Sequence, residues 1–100
     1  MNNSNLAVSF DAAKWKIKDG KDYPHRNGMF QDLMTNEEIR NLNKGEILDL
    51  LGEPQPDRPD PNYLYYRISE TRLGAWPLHT KTLVIKFTEA DSIDWMKIHR

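Results

Sequence analysis

The sequence predicts an α+β fold, a two-layer sandwich in which two to three N-terminal helices pack on one face of a three-stranded antiparallel meander. Three observations predict it. Up to residue 52, apolar residues recur at helical spacing between capping residues. From residue 63 onward the apolar period is two. Between the two regions lies 53–62, which holds four of the six prolines. Successive strands with no helical pattern between them pair antiparallel, and helices grouped ahead of a sheet cover one of its faces.

Residues 1–8 are rich in Asn and Ser and read as a frayed end. The first helical signal is at 11–17. Asp11 is placed to cap it, with Phe10 and Trp15 at the two positions of a hydrophobic staple. Asp19-Gly20-Lys21-Asp22 and Tyr23-Pro24 then break the chain. Met29, Phe30, Leu33 and Met34 share one helical face, predicting a second helix that starts near His25 or Arg26. Thr35-Asn36-Glu37-Glu38 has the form of a capping box, with Met34 and Ile39 as its staple. It either restarts a turn or ends the helix.

The clearest helix is Leu42 to Pro54. Asn43 caps it, Glu46 completes the box, and Leu42 and Ile47 form the staple. Gly52 supplies the left-handed terminus and Pro54 prevents continuation. Residues 53–62 read as a stiff, solvated connector, too short to separate domains, so residues 1–100 form a single domain. The strands follow at 63–69, 81–88 and 92–98. In the first strand Leu64, Tyr66 and Ile68 share one face; Leu64, Ile68, Leu83, Ile85 and Phe87 are expected to meet the helices, which leaves Tyr63, Tyr65, Arg67, Val84 and Lys86 outward. In the third, Ile93 and Trp95 share one face while Met96 and Ile98 lie on the other, which implies a bulge or a mixed edge.

Leu42 to Pro54 is similar to the second-helix signature of outer-membrane-assembly lipoproteins of the BamE (SmpA/OmlA) type. That group belongs with other small α+β domains, among them the β-lactamase-inhibitor-protein fold. Leu42 stands where the family has Met, Asn43 at its Ser/Thr cap and Ile47 at its branched aliphatic, and Leu50, Leu51, Gly52 and Pro54 close the motif. Asn41 replaces the usual Gly, a mild departure because Asn also tolerates the left-handed conformation. The Tyr65-Tyr66 strand, Leu83-x-Ile85-x-Phe87 and a short last strand around Ile93 fit the family's order. The resemblance spans 40–98. It implies a protein-binding domain without a catalytic set, and it supplies no site residues.

The composition excludes several function classes. The chain has 100 residues, 14 Lys and Arg against 15 Asp and Glu, and a net charge of −1, which gives little electrostatic drive toward nucleic acid. It has no Cys, so disulfides and cysteine-ligated zinc are ruled out. No run approaches the ~18 apolar residues of a membrane-spanning helix. With no secretory leader and no lipidation cysteine as written, a cytoplasmic location is expected, or the cell envelope if a leader has been removed. His25, His79 and His99 lack partners at metal-ligand spacing. Asp57, Asp60 and Asn62 resemble a calcium loop but lack its glycine and closing glutamate. No nucleophile elbow, phosphate loop or dinucleotide fingerprint occurs, so neither an enzyme nor a cofactor is expected. Glu37, Glu38, Glu89 and Asp91 read as helix-start and turn carboxylates.

The candidate site is therefore a partner-binding surface of Tyr63, Tyr65, Arg67, Trp76 and Lys86. Tyr and Arg are enriched at interface hot spots, although β propensity and cross-strand tyrosine pairing account for the same composition. Trp76 sits in Leu73-Gly74-Ala75-Trp76-Pro77-Leu78, read as a long hairpin loop. It either anchors a partner or folds back over the core, and self-packing is the expectation for such a loop. A protein partner follows, either an envelope component or a toxin neutralised by an immunity protein. A sheet face stacking on single-stranded nucleic acid is a third reading that the charge does not favour. The oligomeric state is left open by an edge strand able to pair with another copy.

Overall fold

The computed structural model describes residues 8–100. It shows four helical segments followed by a three-stranded antiparallel sheet in the order β1-β2-β3. The helices are α1 (Ala12–Lys16), α2 (Arg26–Thr35), α3 (Glu37–Arg40) and α4 (Lys44–Leu51). The strands are β1 (Tyr63–Leu73), β2 (Trp76–Phe87) and β3 (Ile93–His99). The α+β expectation holds, with one helical segment more than predicted. The frayed end expected at 1–8 falls outside the described residues as far as residue 7, and Val8 donates its amide to Gly28 O at 2.9 Å.

Capping chemistry sets the helix starts. Asp11 Oδ1 accepts from Lys14 N at 3.0 Å, and the staple rings of Phe10 and Trp15 lie 5.9 Å apart. In α4 both halves of the capping box form: Glu46 N donates to Asn43 Oδ1 at 2.9 Å and Asn43 N to Glu46 Oε1 at 3.0 Å. At the end of α4, Gly52 adopts φ 83° and ψ −163°, a backbone region essentially restricted to glycine. The Thr35 box restarts the chain as α3, but the cap is one residue later than expected. Asn36 Oδ1 accepts from Ile39 N at 3.1 Å because Thr35 is still the last residue of α2.

The helices close over the predicted sheet face. Leu64, Tyr66, Ile68, Leu83, Ile85 and Phe87 are all buried, packed with Trp15, Met29, Leu33, Ile47 and Leu51. The third strand resolves its mixed pattern with a bulge. Lys86 pairs with Trp95, but Phe87 pairs with Ile93, so Asp94 is the extra residue. Ile93 therefore joins Met96 and Ile98 on the helix side, contrary to the expectation that it shares a face with Trp95.

The Pro-rich connector is less detached than predicted. Gln55 N donates to Tyr65 O at 2.8 Å, so the connector lies along the free edge of β1. Arg26 Nη1 donates to Arg67 O at 2.9 Å, two residues farther along the same edge. The other edge, β3, has no strand beside it among the described residues; the start of α4 bridges only to Asp91 and Ser92, just ahead of it.

The 73–78 segment is not a long loop. β1 and β2 run through it to a two-residue turn, Gly74-Ala75, with Gly74 at φ 63°. Positive φ at the first central residue alone is the signature of a type II′ turn, whose twist matches a hairpin. Two register shifts, at Arg67/Ser69 and Thr71/Arg72, mark where this ribbon leaves the sheet.

Candidate functional site

The face of the sheet turned away from the helices carries the aromatic cluster. Side chains alternate along a strand and paired residues share a face. Tyr63 and Tyr65 thus stand beside Lys86 and Val84, and these in turn beside Trp95 and Lys97. The Tyr63 and Tyr65 rings stack at 6.2 Å and 19°, and Trp95 meets Tyr63 edge-on at 6.0 Å. Two cations lie over these rings, the Arg58 guanidinium 4.5 Å from the centre of Tyr65 and Lys97 Nζ 4.6 Å from that of Trp95. Lys86 Nζ is 3.4 Å from Asp94 Oδ2. Together Tyr63, Tyr65, Trp95, Arg58 and Lys97 line a shallow groove of about 380 Å³ over Val84. No helix covers it.

Three of the five predicted residues, Tyr63, Tyr65 and Lys86, therefore come together. Arg67 shares their side of β1, but its guanidinium turns to the strand edge, where Nη1 pairs with Glu70 Oε2 at 3.0 Å. Trp76 is at the hairpin tip. It is 73% exposed and does not fold over the core, which corrects the expectation of self-packing. Leu73 and Leu78 are exposed beside it. Ten residues of strand separate Leu73 from Tyr63, roughly 33 Å at the usual rise. Trp76 and the tyrosines consequently belong to two separate surfaces.

Sequence reasoning missed Trp95, Lys97 and Arg58. The first two were obscured by the bulge at Asp94, since the parity of β3 cannot be read until the bulge is located. Arg58 lies in the connector, where no periodicity indicates a direction.

A second feature was also missed, the environment of Arg26. This side chain is 3% exposed. Its guanidinium carbon lies 3.5 Å from the centre of the Tyr23 ring and 4.6 Å from that of Trp15. Nε donates to Trp15 O and Nη1 to Arg67 O, both at 2.9 Å. Burial lowers its proton affinity to about 10, against the favourable fields of Tyr23 and Tyr66. Nearby, burial raises the Tyr66 hydroxyl above the usual tyrosine range, partly offset by Arg26. That hydroxyl donates to Gly52 O at 2.8 Å, tying the end of α4 to the sheet.

Among the described residues, no three His, Asp or Glu side chains are placed to share a metal ion, and no helix is long and apolar enough to cross a membrane. Comparison with protein-family models, with curated proteins and with solved structures finds no match to this chain. What the geometry defines is a class, a small α+β domain with helices on one face of an open sheet and aromatic side chains on the other.

Proposed function

We propose that the chain is a non-catalytic protein-binding module whose docking surface is the open sheet face centred on Tyr63, Tyr65 and Trp95. The observation that carries this reading is the three-ring aromatic cluster standing uncovered over a shallow groove. Aromatic side chains with an Arg beside them match the composition of interface hot spots. A flat groove suits a protein surface better than a small substrate, which needs an enclosing cavity.

Charge narrows the partner. Arg58, Lys86 and Lys97 stand on this face, with Lys86 paired to Asp94, so its complement is an acidic or neutral surface. A role as an immunity protein against a basic toxin needs an acidic face and is not favoured here. An envelope-assembly role of the BamE kind is compatible, resting on the sequence resemblance alone. Stacking on nucleic acid is disfavoured because cations of the chain already lie over Tyr65 and Trp95 and a base would have to displace them.

The test is the double substitution Tyr65→Ala with Lys97→Ala. Neither residue belongs to the main core, so the loss of stability should stay within about 1–2 kcal/mol. Affinity purification from the native host should recover a stoichiometric protein with the wild-type chain and lose it with the variant. Retention of that protein by a folded variant would place its docking surface elsewhere.

A further inference from the structure

The cleft at the outer edge of β1, between the 18–23 loop and the start of the connector, has a volume of about 190 Å³. Arg26 forms its floor. Every acceptor it meets is neutral, two backbone carbonyls and the faces of aromatic rings. Among the described residues no carboxylate lies within salt-bridge distance of it. Burying a cation without a counter-charge is costly, because water is removed and no anion replaces it. Its remaining nitrogen, Nη2, has no hydrogen-bond partner among the described residues and is not among the fully buried polar atoms, and Arg26 lines the cleft.

The surroundings are cationic as well. Lys18, Lys21 and Arg67 line the same cleft, with Glu53 the one carboxylate among the lining residues. Arg67 is paired with Glu70, yet its Nε is buried with no acceptor. Asp22, next to Lys21, is taken up by Arg72 at 3.1 Å outside the cleft. Glu70 is shared between Arg67 and Arg72, so the lining residues and their ion-pair partners amount to five cations against Glu53, Glu70 and Asp22, a surplus of two positive charges. A phosphoryl dianion matches that surplus, while a carboxylate would neutralise half of it. The volume falls below the ~300–1,000 Å³ of sites for drug-sized ligands, so the cleft fits the phosphoryl group and not a large molecule attached to it.

We propose that this cleft is a phosphoryl-binding site. Arg26 Nη2 is its fixed donor, and Lys18 and Lys21 are point charges that close over the ligand from the exposed loop. The site is independent of the aromatic sheet face. The Tyr23 ring, packed against the guanidinium, holds Arg26 in orientation before the ligand arrives, so little ordering cost remains to be met on binding.

The experiment titrates the full chain with inorganic phosphate, and separately with O-phosphoserine, following the Arg26 Nε–H resonance by NMR. Sodium chloride at equal ionic strength is the control. Saturable shifts with phosphate and none with chloride are expected. Lys18→Ala with Lys21→Ala removes two exposed side chains, so the fold should be unaffected while affinity falls about tenfold or more. Tighter binding of O-phosphoserine would identify a phosphorylated side chain as the source, and equal binding would identify free phosphate. Shifts that chloride reproduces, or a double variant that binds phosphate as well as wild type, would overturn the proposal.

Discussion

Arg26 stands at the head of the row Arg26, Met29, Phe30 and Leu33, the spacing of one buried helical stripe. Its position in that row is apolar and its side chain is not. The apolar half of the row is legible from the sequence, but the burial of the arginine is not, because hydrophobicity scales place Arg outside. The signal that finds it is position, a basic residue that completes the period of an apolar face. Tyr66 is a related case, its parity read from the strand pattern but its bond to Gly52 set by tertiary geometry. The pair gives an alkaline signature. Between the ordinary tyrosine pKa of about 10 and the raised native value, the unfolded chain loses the Tyr66 proton while the folded chain keeps it, so this group lowers stability as pH rises. Arg26, lowered to about 10, acts oppositely over the same window, because there the unfolded chain holds the proton. Tyr66→Phe removes the first slope. Urea denaturation should show the variant about 1 kcal/mol less stable at pH 7, with the gap narrowing above pH ~10. A gap that widens would mean that Tyr66 is not protonated and buried as described.

The elements divide by how local their determinants are. The caps of α1 and α4 were legible because the donor, the acceptor and the staple all lie within six residues. Asn43→Ala should cost about 1 kcal/mol, since it removes the side-chain acceptor of the Glu46 amide while the Asn43 backbone bond to Glu46 Oε1 can persist. Gly52→Ala should cost about 1–3 kcal/mol through backbone strain, since an added Cβ meets only the flexible Lys16 side chain at ordinary distance. Both are checked by thermal or urea unfolding. The β1–β2 ribbon was not legible. Leu73-Gly74-Ala75-Trp76 reads as a loop because its apolar residues lack a core to face, yet a Gly at the first turn position is all a II′ hairpin requires. Trp76 should therefore be the tryptophan most open to solvent. Acrylamide should quench the wild type readily, and Trp76→Phe should remove most of the accessible component, leaving buried Trp15 and half-buried Trp95. Weak quenching in the wild type would mean that the ribbon folds back.

At the scale of the whole molecule, the layer order decides what is free to bind. The helices use up one sheet face, and the connector with Arg26 closes the β1 edge. The aromatic face and the β3 edge remain open, and they adjoin at Trp95 and Lys97. A partner on this face would be in reach of an edge able to accept a strand, adding backbone hydrogen bonds to side-chain contacts. The layer order follows from the change in period at residue 63. Which aromatic side chains meet on the open face depends on the Asp94 bulge, a one-residue feature that period-two counting cannot locate.

The most direct measurement places a photoreactive benzophenone side chain at position 65, in the full chain expressed in its own host, with the same side chain at exposed position 49 on α4 as control. The account predicts one protein adduct of defined mass from position 65 and none from position 49. Equal adducts from both positions, or none from position 65 while the chain is folded and expressed, would contradict it.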